Sequence, residues 1–227
     1  MSGPIPSRND TARSAHPADR AVVVLAPHPD DEVFGAGALL RWLTANGQRI
    51  HLLAVTDGEA AWGPCSPTKR AGLIERRRDE RSRALELLGV ASAIDVTRLG
   101  LPDGGVGGRE VELADIVVDL DPLMVVGPWR HDGHPDHEAV GRGALVAARR
   151  LRAPLVEYVV WAEHRRRWPP ADGRRPRVVP MSRVDRAAKL RAARCFRSQL
   201  EPSPDGRPVV PAELIDRLAV GPELVLV

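Results

Sequence analysis

Apolar positions along the chain fall into short continuous runs separated by longer stripes of helical spacing. Val22, Val23, Val24 and Leu25 follow one another without polar alternation, as in a strand covered on both faces. Val33, Ala36, Leu40 and Leu43 then recur at helical spacing, which predicts a helix over 32–45 that ends at Asn46-Gly47. The rhythm continues. Strands are predicted at 21–26, 50–55, 93–99, 123–127 and 155–161. Helices are predicted at 73–88, stopped by Gly89, and at 111–119 and 138–151. The last third is less regular. A basic, Pro-rich segment spans 165–177, helices are predicted at 183–196 and 212–218, and 223–227 reads as an edge strand. Strands alternating with helices argue for an α/β fold with a parallel sheet wrapped on both faces, for which 3-2-1-4-5 is one order to consider.

Residues 1–20 are polar and aperiodic and read as a disordered tail, leaving 21–227 as a single domain. A chain of 227 residues, 43% hydrophobic and 28% charged, can bury a full core without staples. No apolar run approaches the roughly 18 residues of a membrane span, and the N-terminus has no apolar signal core. Cys65 and Cys195 alone make neither a disulfide framework nor a thiolate metal cage, so a reducing cytoplasm is expected. The net charge is +3, and only Lys69 and Lys189 among the 33 basic residues are lysine. The arginine tracts at 76–78, 149–150 and 165–167 are mixed with acidic residues and read as solvated surface. Aromatics at 4% are too few for a base-stacking face, so no nucleic-acid partner is expected. Homo-oligomerisation is left open.

Two polar clusters follow strand ends. Pro27-His28-Pro29-Asp30-Asp31-Glu32 comes directly after the first strand, and His131-Asp132-Gly133-His134-Pro135-Asp136-His137 comes just after the fourth. In a sheet of the order above, the first and fourth strands are neighbours at the switch point, where crevices form outside the carboxyl ends of strands. In that order the two clusters, about 100 residues apart, would meet in one crevice. The first loop lacks a G-x-G-x-x-G, and its carboxylates would repel a pyrophosphate. Two imidazoles and a carboxylate, His28, Asp31 and His137, suit a catalytic zinc site with a position left for water. Asp30 is placed to take a proton from that water, His134 to stabilise an oxyanion, and Asp136 to hold the His134 ring. Two His and one Asp also compose the triad of non-haem Fe(II) oxygenases, so another divalent ion such as Fe2+ stays open. A metal-containing binding module without turnover is the third reading; it would need neither Asp30 nor His134.

The stretch Ala26-Pro-His-Pro-Asp-Asp-Glu32 with His134-Pro-Asp-His137 downstream resembles the PIG-L/LmbE-like family of zinc-dependent N-deacetylases. Thr56-Asp57-Gly58-Glu59, Arg77-Arg78-Asp79-Glu80 and Arg197-Ser198-Gln199 extend the similarity, which covers about residues 21–227. The resemblance implies a Rossmann-like three-layer sandwich, with the metal at the C-terminal ends of strands one and four. It implies removal of an acetyl group from a glucosamine-containing small molecule. It also implies His28, Asp31 and His137 as zinc ligands, Asp30 as base and proton donor, a protonated His134 at the oxyanion, and Asp136 as its partner. A family tyrosine near the site has no clear counterpart; Tyr158 is the only tyrosine.

Substrate contacts are expected from Arg77 and Glu80, which interrupt the apolar stripe Leu73, Ala84, Leu88. An ion pair at the edge of that stripe is the alternative for the two. Asp103, in a Gly-rich loop, is a candidate acceptor for sugar hydroxyls or a simple turn residue. Trp129, Arg130 and His131 are candidates for a cleft wall, and the segment 161–179, with Trp161 and Trp168, for a lid.

Overall fold

A computed structural model describes residues 20–162 and 175–227. All of the expected N-terminal tail but Arg20, which pairs with Asp121 at 2.8 Å, and most of the candidate lid, Trp168 included, lie outside the described residues. Seven strands form one sheet in the order β3-β2-β1-β4-β5-β7-β6. The first five, β1 (Val22–Ala26), β2 (Ile50–Thr56), β3 (Ile94–Leu101), β4 (Met124–Pro128) and β5 (Leu155–Tyr158), run parallel. The central strand is fixed by its register, Val22 opposite Ile50 on one side and Met124 on the other. All five β1 residues are buried, because both faces of the sheet are covered. One face packs on α4 (Glu110–Asp119) and α5 (Pro135–Leu151) through Val23, Leu25, Leu113 and Val140. The other packs Val22, Val24 and Leu52 against α1 (Asp31–Phe34), α2 (Gly37–Ala45), α6 (Arg183–Ala193) and α8 (Ala212–Val220).

Four predicted elements differ. The helix expected over 32–45 is two helices, α1 and α2, separated at Gly35 and Ala36. Gly35 lies against β5 so closely that a Cβ would stand 2.2 Å from the Tyr158 ring. The N-terminal amides of α2, at Ala38 and Leu39, donate to the Glu223 carboxylate at 2.7 and 2.8 Å, and Lys189 pairs with the same buried group at 2.6 Å. This cap satisfies donors that a helix start otherwise leaves open. Helix α3 (Pro67–Leu88) starts six residues earlier than its apolar stripe, because Ser66 caps it and Pro67 opens it. The expected edge strand at the C-terminus is interior. Strand β7 (Glu223–Leu226) pairs antiparallel with β5 and with β6 (Arg177–Val179). The last part of the candidate lid is thus a sheet strand. The helix expected over 183–196 closes at Ala193, and a short α7 (Arg197–Leu200) follows.

Candidate active site

Because β1 and β4 are parallel neighbours, the loops that leave their carboxyl ends adjoin. His28, His134 and His137 converge, with ring centroids 4.8 to 5.3 Å apart. Asp31, at the start of α1, sits among them. Its Oδ2 lies 3.1 Å from His28 Nδ1 and 3.1 Å from His137 Nε2, and accepts the His28 backbone N–H at 2.9 Å. The three residues expected to be ligands are therefore brought together.

The donor set fits a cation. His137 Nδ1 is committed to Asp132 at 2.9 Å, which leaves Nε2 buried and without a hydrogen bond despite its closeness to Asp31. Burial disfavours charge on His28, yet hydrogen bonds to Asp103, Asp136 and Asp31 outweigh it and hold its pKa well above the ordinary value. Burial likewise opposes charge on His137, but Asp31 and Asp132 push it up to about 9. Asp31 is held well below the usual carboxylate range: His137 and His28 prevail over its burial. The surrounding carboxylates thus favour positive charge within the cluster, which a divalent cation would supply. His28, His134 and His137 also form a compact three-nitrogen group, and His28, Asp103 and Asp136 a second compact group.

Asp132 is a residue whose role the sequence did not signal. It is fully buried and accepts hydrogen bonds from the backbone N–H groups of Val160, Trp161 and Ala162, each at 3.0 Å, besides holding His137. Its partners lie about 30 residues downstream, beyond any local pattern.

Asp136 departs from expectation. Its carboxylate does not hold the His134 ring. It accepts from Gly104 N at 2.7 Å and Val106 N at 3.2 Å and lies 3.2 Å from His28 Nε2. Its backbone N–H instead donates to His134 Nδ1 at 3.3 Å, because His134 caps α5. A neutral His134 so held carries its proton on Nε2. Burial, with His137 and His28 beside it, pushes the His134 pKa down to about 4, so the ring is neutral at pH 7 and not protonated.

Asp30 is buried and its pKa is raised to about 6 by burial, with Arg77 opposing and Asp31 adding to the rise. Arg77, itself buried, donates to Asp30 Oδ2 at 3.1 Å and to the Gly58 carbonyl at 2.9 Å. A Cβ at Gly58, where φ is +67°, would stand 2.0 Å from the Arg77 guanidinium, so the turn has room only for glycine. The rest of that turn is equally committed. Thr56 donates its hydroxyl to the Pro27 carbonyl at 2.8 Å, Asp57 forms a two-pronged pair with Arg98, and Glu59 accepts from Asp103 N.

The expected substrate contacts sort into two groups. Arg77 and Asp103 line the cleft, as do His28, Asp30, Asp31 and His134. The two Asp103 oxygens already meet His28 Nε2 at 3.2 Å and Ala60 N at 2.9 Å. Glu80 is turned inward. Its carboxylate accepts the N–H and hydroxyl of Ser198 at 2.8 and 2.6 Å and also pairs with Arg76. This contact seats Gln199, which bonds the Ser198 hydroxyl and lines the cleft; the sequence placed it in the Arg197-Ser198-Gln199 segment without a role. Trp129 is buried against Val159 and Leu226, Arg130 pairs with Glu157 at 2.5 Å, and His131 is exposed; none of the three lines the cleft. Tyr158 is fully buried and donates its hydroxyl to the Leu25 carbonyl at 2.9 Å, which makes it part of the core beneath the site.

The family described as PIG-L, GlcNAc-PI de-N-acetylase, matches residues 23–148, more than half of the chain and both histidine clusters. The chain belongs to the PIG-L family. Among curated relatives, a probable N-acetyl-alpha-D-glucosaminyl L-malate deacetylase 2 of Bacillus cereus is 29% identical over 158 residues, covering 65% of this chain and 70% of its own length. The diacetylchitobiose deacetylase of Thermococcus kodakarensis is 33% identical over 129 residues, covering 54% of this chain and 46% of its own. This chain thus spans about half the length of some of the PIG-L relatives it matches. The solved A40926 pseudoaglycone deacetylase shares the fold, with a TM-score of 0.66 at 24% identity over 92% of this chain and 96% of that one. No helix among the described residues is long and apolar enough to cross a membrane.

Proposed function

We propose that this chain is a zinc-dependent hydrolase that removes the acetyl group from the nitrogen of a glucosamine-containing small molecule or glycoconjugate. The observation that carries this reading is the position of Asp30: a buried carboxylate with a raised pKa, lining the same cleft as His28 and Asp31, with His137 buried directly behind Asp31. A metal-binding module has no use for it. Membership of the PIG-L family and the deacetylases among the relatives support the same chemistry.

His28, Asp31 and His137 would hold the ion. Zinc bound there supplies Lewis acidity, which polarises the amide carbonyl and acidifies water. Asp30 removes a proton from the attacking water. With a pKa of about 6 it is ionised at pH 7 yet basic enough to serve. The neutral His134 donates its Nε2–H to the oxygen that becomes negative, a contribution worth about 10²–10³ in rate for a preorganised donor. Asp30 then returns its proton to the departing nitrogen. Arg77 keeps the Asp30 carboxylate in place. The products are acetate and a free amine, and the amide C–N bond is the one broken.

The test is product analysis with N-acetylglucosamine glycosides. Equal amounts of acetate and primary amine are expected, abolished by a chelator and restored by zinc. Oxygen uptake dependent on Fe(II), without acetate, would contradict the reading.

A further inference from the structure

The cleft has a second chemical half. It is open to solvent, with the His28, Asp30, Asp31 and His134 side chains on one part of its lining. The rest is dominated by Phe34, Val160, Trp161, Val210, Leu214 and Leu218. Trp161 and Leu218 are half-buried and the other four are buried. A second hollow shares Phe34, Val160 and Leu218 and adds Val159, Pro222 and Leu224, but Arg217 and Glu223 also line it, so the apolar strip ends there in a mixed surface.

The two halves have different origins in the chain. Every proposed catalytic and metal-binding group falls within residues 23–148, where the family match lies. Apart from Phe34, the apolar strip comes from beyond it: the loop after β5, the approach to α8, and α8 itself. The chemistry shared with the family and the surface that meets the remainder of the substrate are therefore separate in sequence. A sugar ring turned against this strip would leave hydroxyls without hydrogen bonds, which is costly, whereas an alkyl or aryl group would gain by burial.

We infer that the preferred substrate is an N-acylated amino sugar that carries an aliphatic or aromatic group, and that Val210, Leu214 and Leu218 select for that group. This rests on the reading of the site as a deacetylase. The apolar group could belong to the sugar's substituent or to the acyl chain; both place the same chemistry against the same strip.

The experiment has two arms. In the first, kcat/KM for release of amine is compared between the methyl and hexyl glycosides of N-acetylglucosamine. In the second, the N-acetyl and N-hexanoyl forms of methyl glucosaminide are compared. Full burial of one methylene is worth about fourfold in affinity, so partial burial of a hexyl chain is expected to give a gain of at least about tenfold, mainly through KM. The arm that shows the gain identifies its source. Leu218→Asn and, separately, Val210→Thr are expected to cut the gain to below about threefold. The ratio is taken within each variant, so a general loss of active protein cancels. Calorimetric binding of the two glycosides to Asp30→Asn gives the same preference without turnover. Clear turnover of the methyl compound with no gain on either arm would overturn this inference and leave the deacetylase standing. A gain unchanged in both variants would overturn the assignment to α8 and its approach. No amine from any compound would overturn the deacetylase reading and this inference with it.

Discussion

Asp30→Asn is expected to lower kcat by about 10²–10⁴-fold while leaving the zinc content of the protein unchanged, the range associated with loss of a positioned general base. The substitution keeps the shape of the side chain and its contact with Arg77, 3.1 Å away, but removes the ability to take a proton. The pH profile carries the same argument. The base works only when ionised, so activity falls as pH drops through its pKa, about 6. Arg77 opposes the rise in that pKa, so Arg77→Gln should move the acid limb to higher pH. Stopped assays of amine release from pH 5 to 8 measure both effects. Full turnover in a zinc-loaded Asp30→Asn protein would remove Asp30 from the mechanism.

Asp132→Ala should have two separable consequences. It frees His137 Nδ1 from the carboxylate that orients it, and such supporting partners typically contribute 10- to 100-fold in metal affinity, here to be read by chelator competition. It also strips the acceptor from three backbone N–H groups, at Val160, Trp161 and Ala162. A buried donor without a partner costs about 1–3 kcal/mol, so urea unfolding should show a loss of roughly 3 kcal/mol or more. Asp132→Asn retains one acceptor oxygen and should lie between the two proteins in both measurements. Wild-type zinc affinity and stability in Asp132→Ala would show that the carboxylate neither orients His137 nor supports the loop after β5.

Much of this architecture was legible in the sequence because it is locally encoded. The unbroken apolar run at Val22 to Leu25, followed by strand–helix alternation, reads as a doubly covered strand, and an order of 3-2-1-4-5, which the sheet contains, makes the first and fourth strands adjoin. That adjacency joined His28 and Asp31 to His137 across about 100 residues. Features built from distant partners were not legible. Glu223 caps α2 from 185 residues away, and Glu80 bonds Ser198 across 118. Nothing in the spacing of Arg77 and Glu80 distinguishes a side chain facing a cleft from one spent on internal contacts. The same holds for Asp136. Its position in His-Pro-Asp-His suggested a local partnership with His134, but in an extended residue leading into a helix the backbone N–H serves that ring. The carboxylate turns instead toward the loop carrying Gly104 and Val106. The antiparallel strand β6 escaped notice because a three-residue strand leaves almost no periodic signal, and without it β7, read as an edge strand at 223–227, had no visible partner on its far side.

The most direct test of the central claim, that the loops after β1 and β4 build one metal centre, is metal content by plasma mass spectrometry. The purified chain is loaded with zinc, desalted and measured beside His137→Ala. About one zinc per wild-type chain, lost or much weakened in the variant, is the expected result for a site with ligands from both loops. Folded wild-type protein with no zinc above background, or a variant that retains the full complement, would contradict it.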